Sequence, residues 1–356
     1  MAEKERYFPV PLVKGFLSDL YEKAGMSRDD ADVCASCVVK TNLWGVDSHG
    51  VLRTSVYVNR VRKGAINPRP EIQSLKGNDK AIELLNGDDG IGYIVGKAGM
   101  EKAIAKAKQY GMGAVVVDRS NHFGAAALYA RMAAEEGMIG FATTNVKPNI
   151  GMKGNKKPST GNNPIAMAAP IGGEYPFSLD ISLSAVAGGK LLLASKKGEK
   201  IPKDWAVTSE GLETDDPDEG FKGFLLPVGL HKGFGLSLFV DIITGVLSGG
   251  AYLQDLKSMY AHSDDPSLTS HFFFAIDPTI FMEKEVFIKR MKDWAGMIKD
   301  TPMVDPETSQ LIPGELEYKT EQKRIKEGLP FPSQLVSDLD ELATDMGVKP
   351  ISERTA

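Results

Sequence analysis

The chain has 356 residues, 42% of them hydrophobic and 25% charged, a composition that belongs to folded globular proteins and not to disordered or low-complexity ones. Its formal net charge is −5 with Lys and Arg spread along the chain, which argues against a nucleic-acid partner. No window approaches the roughly 18 consecutive apolar residues of a membrane span, and the length calls for two or three lobes.

The opening MAEKERYFPV has neither the apolar run of a secretion signal nor the acid-poor, Arg/Ser-rich character of a transit peptide, so the expected compartment is the cytoplasm. Residues 9–45 read as helical, with Ser27 and Asp30 marking a helix start before DDADVCASCVVKTNLW. Cys34 and Cys37 lie in this stretch. A CxxC can be a redox pair or half of a zinc site, but no second Cys/His pair stands at metal spacing, so they read as small buried residues near one helix face. RTSVYVNRVRKG continues helically until Gly64 and the prolines of NPRP. Strands are expected over 71–86, then a helix over 92–110 stopped by Gly111, the strand GAVVVD, and the helix AAALYARMAAEEG closed by Gly137. Short strands follow in IGFATTN, NPIAMAAP and YPFSLDIS, and residues 196–221 are polar and turn-rich. A long apolar helix is expected over 233–248, a strand in HFFFAIDP, an amphipathic helix over 281–300, and charged helices over 315–327 and 332–346. The regular βαβαβ alternation of a doubly wound sheet is missing.

Four constellations carry possible chemistry. In Asp47-Ser48-His49-Gly50, followed by Arg53 and Tyr57, an imidazole titrating near neutrality and a guanidinium fork suited to a carboxylate stand four residues apart. On one helix, 49, 53 and 57 would share a face. The alternative is a helix start capped by Asp47 and Ser48 with a solvated His49. Ser120-Asn121-His122-Phe123-Gly124 joins a strand to an alanine-rich helix, an arrangement that suits an anion cradle or a second acid–base, or a capped helix with a packed histidine. Gly90, Gly92 and Gly96 imitate a dinucleotide fingerprint with one spacing wrong, against a turn and a tightly packed helix. Gly229-Leu230-His231-Lys232-Gly233-Phe234-Gly235 offers a lysine where backbone can approach a phosphate, or an ordinary glycine-rich loop. His262 and His271 read as structural, and no histidine spacing suggests a catalytic metal.

Taken together, the segments GVDSHGVLRTSVYVNRVRKGAINPRP, SNHFGAAALYARMAAEEGMIGFATTN, GNNPIAMAAP, GLHKGFGLSLFVDIITGVLSGG, HFFFAIDP and IPGE resemble the malate/L-lactate dehydrogenase family of the non-Rossmann type, over residues 8–348. Relatives in that family act on ureidoglycolate, sulfolactate, diketogulonate and cyclic imino acids. The resemblance implies a mixed α/β (α+β) fold that binds NAD or NADP on a largely antiparallel sheet with helical lobes, as a homodimer. The lobes expected are 1–70 with 316–356, 71–120 with 285–315, and 121–284 as the NAD(P)-binding part. It implies His49 as the acid–base, Ser48 as its relay partner and Arg53 as the substrate-carboxylate anchor. It implies cofactor contacts at His122, Phe123, Gly124, Ala125 and Ala126, at Asp180, Ile181 and Ser182, at His231 and Lys232, and at Gly314 and Glu315. The substrate-contacting threonine of relatives falls on Asn162 here. Lys147 and Met152 replace residues of a Ser-Pro and an Ala-Pro, the lysine adding a charge suited to a dicarboxylate. An aspartate of imino-acid reductases falls on Lys190, which argues against that activity. The implied reaction interconverts a small 2-hydroxy acid and its 2-oxo acid, with malate first and L-lactate next. Ureidoglycolate oxidation, cyclic-imine reduction, a non-catalytic ligand-binding protein and a metal-dependent hydrolase are the alternatives.

Overall fold

A computed structural model describes residues 5–355. The two ends of the chain build one lobe. A strand β1 (Arg6–Phe8) leads into helices α1 (Val10–Lys23), α2 (Arg28–Leu43) and α3 (Thr54–Arg62). Ser27 caps α2 by accepting the Asp30 N–H at 3.2 Å. Phe16, Leu17 and Leu20 of α1, Cys34 and Val38 of α2 and Val58 of α3 form a core that C-terminal residues such as Phe331 and Leu339 complete. Both cysteines are unpaired, Cys34 buried and Cys37 partly so, and burial pushes both thiols up, Cys37 to about 12.

The middle of the chain supplies β2 (Gln73–Lys76), β3 (Ile82–Gly90), α4 (Gly92–Tyr110), β4 (Met112–Ser120), α5 (Ala127–Glu135), β5 (Ile139–Thr144), β6 (Ile165–Ala169) and β7 (Phe177–Ile181). A small satellite follows: α6 (Gly188–Lys197), β8 (Ala206–Val207), α7 (Pro217–Lys222) and β9 (Phe224–Leu225). Helix α8 (His231–Asp241) runs into a π-helical turn at Ile242–Val246, and β10 (Thr269–Ile276), α9 (Lys284–Lys299), α10 (Glu315–Glu327), β11 (Leu329–Phe331) and α11 (Ser333–Asp345) complete the order. β11 pairs with β1, tying the termini together.

One seven-stranded sheet holds the order β2-β3-β4-β10-β5-β6-β7, and of its six pairings only β3 with β4 is parallel. The sheet therefore carries a single departure from antiparallel pairing, the parallel β3–β4 pair made by the crossover through α4, and is mixed and non-Rossmann. It also runs across residue 120, so 71–120 and 121–276 share one sheet. β4 and β10 lie centrally, where the β-branched run Val115–Val117 is buried on both faces. α4 and α5 cover one face through Met100, Ala103, Tyr129 and Ala133 against Val115, Val117 and Phe273. Helix α6 ends where the turn-rich stretch 196–221 begins and was not among the expected helices. Its Leu191 and Ala194 pack on Ile201 and Ala206 in a local core of their own.

The glycines that imitate a dinucleotide fingerprint are packing positions. A Cβ on Gly90 would stand 2.7 Å from Pro70, one on Gly92 would collide with the carbonyls of Asn121 and His122, and one on Gly96 would stand 2.6 Å from the Tyr129 ring. Close approach of α4 to α5 and to the 121–122 turn requires these residues. Gly96→Ala is therefore expected to cost about 1–3 kcal/mol by overpacking against Tyr129. Denaturant unfolding checks this, and an unchanged midpoint would refute the assignment.

Candidate active site

Two single turns of 3₁₀ helix, Asp47–His49 and Val51–Arg53, precede α3. His49, Arg53 and Tyr57 therefore do not share one helical face, contrary to the spacing argument. Gly50 (φ −93°, ψ −140°) breaks the run, and a Cβ there would collide with the Asn42 carboxamide. Asn42 Oδ1 accepts the Val51 N–H at 2.7 Å, while its Nδ2 donates to Asp47 at 2.6 Å. Asp47 is further held by Arg324 from α10, at 2.6 and 2.9 Å, so it anchors the turn and does not cap a helix over His49.

Convergence is achieved by contacts instead. Ser48 Oγ lies 2.9 Å from His49 Nδ1, which leaves Nε2 for other work. Arg53 Nε donates to the Ser48 carbonyl at 2.7 Å and Nη1 to the Tyr260 hydroxyl. Burial, and then the Arg53 charge, lower His49 to about 4, so the imidazole is neutral at physiological pH. The His122 ring stacks 5.6 Å from that of His49. Its Nδ1 receives the Gly124 N–H at 3.3 Å and lies 2.7 Å from the Tyr57 hydroxyl, so Nδ1 accepts and Tyr57 donates. Burial, then His49 and Arg53, hold His122 well below the usual histidine range.

The turn carrying His122 is held from below. Asn121 Nδ2 donates to the carbonyls of Asp89 (2.8 Å) and Gly90 (3.1 Å), and its Oδ1 accepts from Arg60 Nη2 (3.0 Å) and the Ser267 N–H (3.1 Å). His271, inside the sheet, stacks on Phe123 at 4.6 Å and lies 2.7 Å from Ser120 Oγ and 2.8 Å from Thr144 Oγ1. Burial pushes it down to about 3, so it is a neutral structural group.

These parts border one cleft of about 1070 Å³, open solvent included. Ser48, His49, His122, Phe123, Gly124, Ala125, Ala126, Asn162, Asp180 and Ser182 all line it. Asn162 is oriented by Nδ2 donation to Ser182 Oγ at 2.9 Å. Ile181 points to the other face of its strand and is 37% exposed. Arg53 stands behind Ser48 and is not among the cleft-lining residues. His231 and Lys232 border a separate depression with Asp204 and Trp205. Gly314 caps α10, and the Glu315 carboxylate is taken by Lys299 (2.7 Å), Lys319 (2.8 Å) and Tyr175 (2.9 Å), so neither reaches the cleft. Lys147 adjoins the cleft-lining Val146, with Nζ on the Gln254 carbonyl at 2.5 Å. Lys190 is exposed on α6.

One N–H of the expected anion cradle at the start of α5 is taken by the protein's own carboxylate. Asp180 Oδ2 accepts the Ala127 N–H at 2.8 Å, and burial pushes its carboxyl up to about 6 against the opposing pull of that N–H. The lining residues that sequence reasoning missed include Trp44, Arg131, Thr144 and Glu317. Only Arg131, a lone cation in an alanine-rich helix, carries a sequence signal.

A match to the malate/L-lactate dehydrogenase family covers residues 9–340. The chain is 39% identical to the malate dehydrogenase of Pyrococcus abyssi, covering 97% of each chain. It is 36% identical to the L-sulfolactate dehydrogenase of Methanocaldococcus jannaschii, covering 94% of this chain and 96% of that one. The solved structure of sulfolactate dehydrogenase from Methanocaldococcus jannaschii superposes with a TM-score of 0.91 at 34% identity, covering 98% of this chain and 99% of that one.

The depressed His49 is directly measurable. Its ring resonances should titrate near pH 4. Arg53→Met should raise the midpoint but leave it below the ordinary 6.5, because burial is the larger cause. A wild-type midpoint at or above 6.5 would contradict this geometry.

Proposed function

The chain belongs to the malate/L-lactate dehydrogenase family, and from that premise we propose that it is an NAD(P)-dependent oxidoreductase interconverting a 2-hydroxy acid and its 2-oxo acid. Membership makes it a dehydrogenase-family protein; the cofactor and the substrate are our reading. The observation that carries it is the Ser48–His49 pair opening, with His122 beside it, onto a single cleft bordered by the 122–127 turn.

When bound, the nicotinamide ring supplies or accepts the hydride. His49 Nε2 takes the proton of the substrate hydroxyl during oxidation and returns it to the carbonyl oxygen during reduction. A serine hydroxyl both donates and accepts, so Ser48 serves His49 Nδ1 in either proton state. Arg53 holds the substrate carboxylate with Nη2, which has no partner among the described residues. Its other two nitrogens are held by the Ser48 carbonyl and the Tyr260 hydroxyl, so the guanidinium is fixed beside the His49 turn before substrate arrives. His122, neutral and locked by Tyr57, walls the site and keeps a second positive charge away from His49.

Malate is the first substrate, ahead of L-lactate. The relatives above are named for malate and sulfolactate, each a 2-hydroxy acid with a second anionic group. Lys147, next in the chain to the cleft-lining Val146, is the cation we assign to such a group. Asn162, joined to Ser182, presents an amide to the substrate. The assembly we read is a homodimer. Phe239, Ile242 and Val246 form an apolar stripe at helical spacing, each 50% exposed or more, that a second copy would cover. Among the described residues no helix is long and apolar enough to cross a membrane, and the two unpaired cysteines suit the reducing cytoplasm.

NADH and NADPH oxidation with oxaloacetate, pyruvate and other 2-oxo acids tests the reading, and no turnover with any pair refutes it. His49→Ala should cut turnover by roughly 10²–10⁴-fold. Retained turnover in that variant would move the acid–base role to His122. Lys147→Met should raise KM for oxaloacetate and leave that for pyruvate nearly unchanged. In the hydroxy-acid direction, kcat/KM should hold down to near pH 4 and fall below it as His49 protonates. An acid limb near 6.5 would contradict the assigned base.

A further inference from the structure

We propose that the Arg131 guanidinium is the cation that receives a phosphate group of the dinucleotide in the cleft, an inference that rests on the reading of that cleft as a nicotinamide-cofactor site. Arg131 projects from α5 one turn beyond Ala127 and lines the cleft, yet it is only 6% exposed. It makes no hydrogen bond or ion pair among the described residues, and its Nε is a buried donor with no partner. A guanidinium that is buried and unpaired carries a desolvation cost that an arriving anion removes.

The neighbouring carboxylates do not meet this need. Glu321 is engaged by Lys40 at 2.5 Å and by the Trp44 indole N–H at 3.1 Å, and Asp180 by the Ala127 N–H. Glu317 lines the cleft but makes no ion pair with Arg131. The contact Arg131 does make uses its face: the guanidinium carbon sits 4.3 Å over the Trp44 ring. All five N–H bonds of a guanidinium lie in its plane, so stacking holds the group flat and leaves its edge free for a phosphate.

The residues around it fit a dinucleotide. Asp180 and Glu317 offer carboxylate acceptors suited to ribose hydroxyls, Arg131 offers a cation in the same cleft, and Gly124 to Ala127 present a wall nearly free of side chains. The substrate carboxylate already has Arg53 beside His49. The phosphate is either the bridging pyrophosphate common to both dinucleotides or the 2′-phosphate that only NADP(H) carries.

Calorimetric titration of the purified protein with NADH and with NADPH tests this without relying on turnover. Arg131→Gln should raise Kd about 10–100-fold, the loss expected for a hydrogen-bonded charge. Arg131→Lys should recover part of that loss, and the wild-type affinity should fall with added salt more steeply than that of Arg131→Gln. Equal loss for both dinucleotides assigns the pyrophosphate, and loss for NADPH alone assigns the 2′-phosphate. Unchanged Kd for both in a variant with wild-type thermal stability overturns the proposal. So does equal weakening in the Gln and Lys variants with no change in salt dependence, which marks a packing role on Trp44. Wild-type protein that binds neither dinucleotide overturns the cofactor reading and this inference together.

Discussion

The Asn121 side chain is the tie on which the arrangement depends. Its two amide hydrogens close onto the β3–α4 turn, and its oxygen takes one donor from α3 and one from the segment before β10. Arg60, 2% exposed, gives its remaining hydrogen bonds to the carbonyls of Met259, His262 and Asp265 and to Ser267 Oγ. Four separate stretches of chain are thus fixed by two buried side chains. Losing either partner would leave buried donors and acceptors unpaired, which costs more than the bond itself contributes. The loop from 259 to 265 carries Tyr260 to Arg53, and Asn121 carries His122 to His49, so one knot positions both the anion anchor and the wall of the acid–base pair.

Electrostatics follow from that enclosure. The three histidines near the centre, His49, His122 and His271, are all held neutral, and burial is the leading cause for each. Their unfolded forms take up protons near 6.5 while the folded forms do not, so their contribution to stability is complete above that pH and is lost progressively as the solution is acidified. His49 and His122 both line the cleft under the Arg53 charge, and Arg53 is bonded directly to the turn that carries His49, through the Ser48 carbonyl. His271 has both nitrogens within hydrogen-bond distance of hydroxyls, and His122 has Nδ1 doubly occupied.

Features decided within a few residues were legible in the sequence. Ser27 capping α2, Gly111 ending α4 and the valine run of β4 each express a local preference that packing does not override. The absence of repeated parallel crossovers was legible too, as a missing alternation. The geometry around His49 was not, because helical spacing ignores Gly50, whose place is dictated by Asn42 from the preceding helix. Nor was the use of Asp180 as the cap of α5, since that pair lies 53 residues apart. Trp44 at the end of α2, Arg131 on α5 and Glu317 on α10 are brought together only by the tertiary fold, and apart from the lone cation of α5 nothing near them in the chain marks the cleft they share. His231 and Lys232 read as ligand-facing because glycines surround them, yet they border a different depression.

The central claim is that hydride transfer takes place in the cleft between the Ser48–His49 turn and the 122–127 turn. A crystal structure of the protein with NADH and the unreactive 2-oxo acid analogue oxamate tests it most directly. The account predicts the nicotinamide ring in that cleft, with the analogue's carboxylate on Arg53 and its carbonyl oxygen on His49 Nε2. A dinucleotide bound elsewhere, or an analogue touching neither side chain, would contradict it.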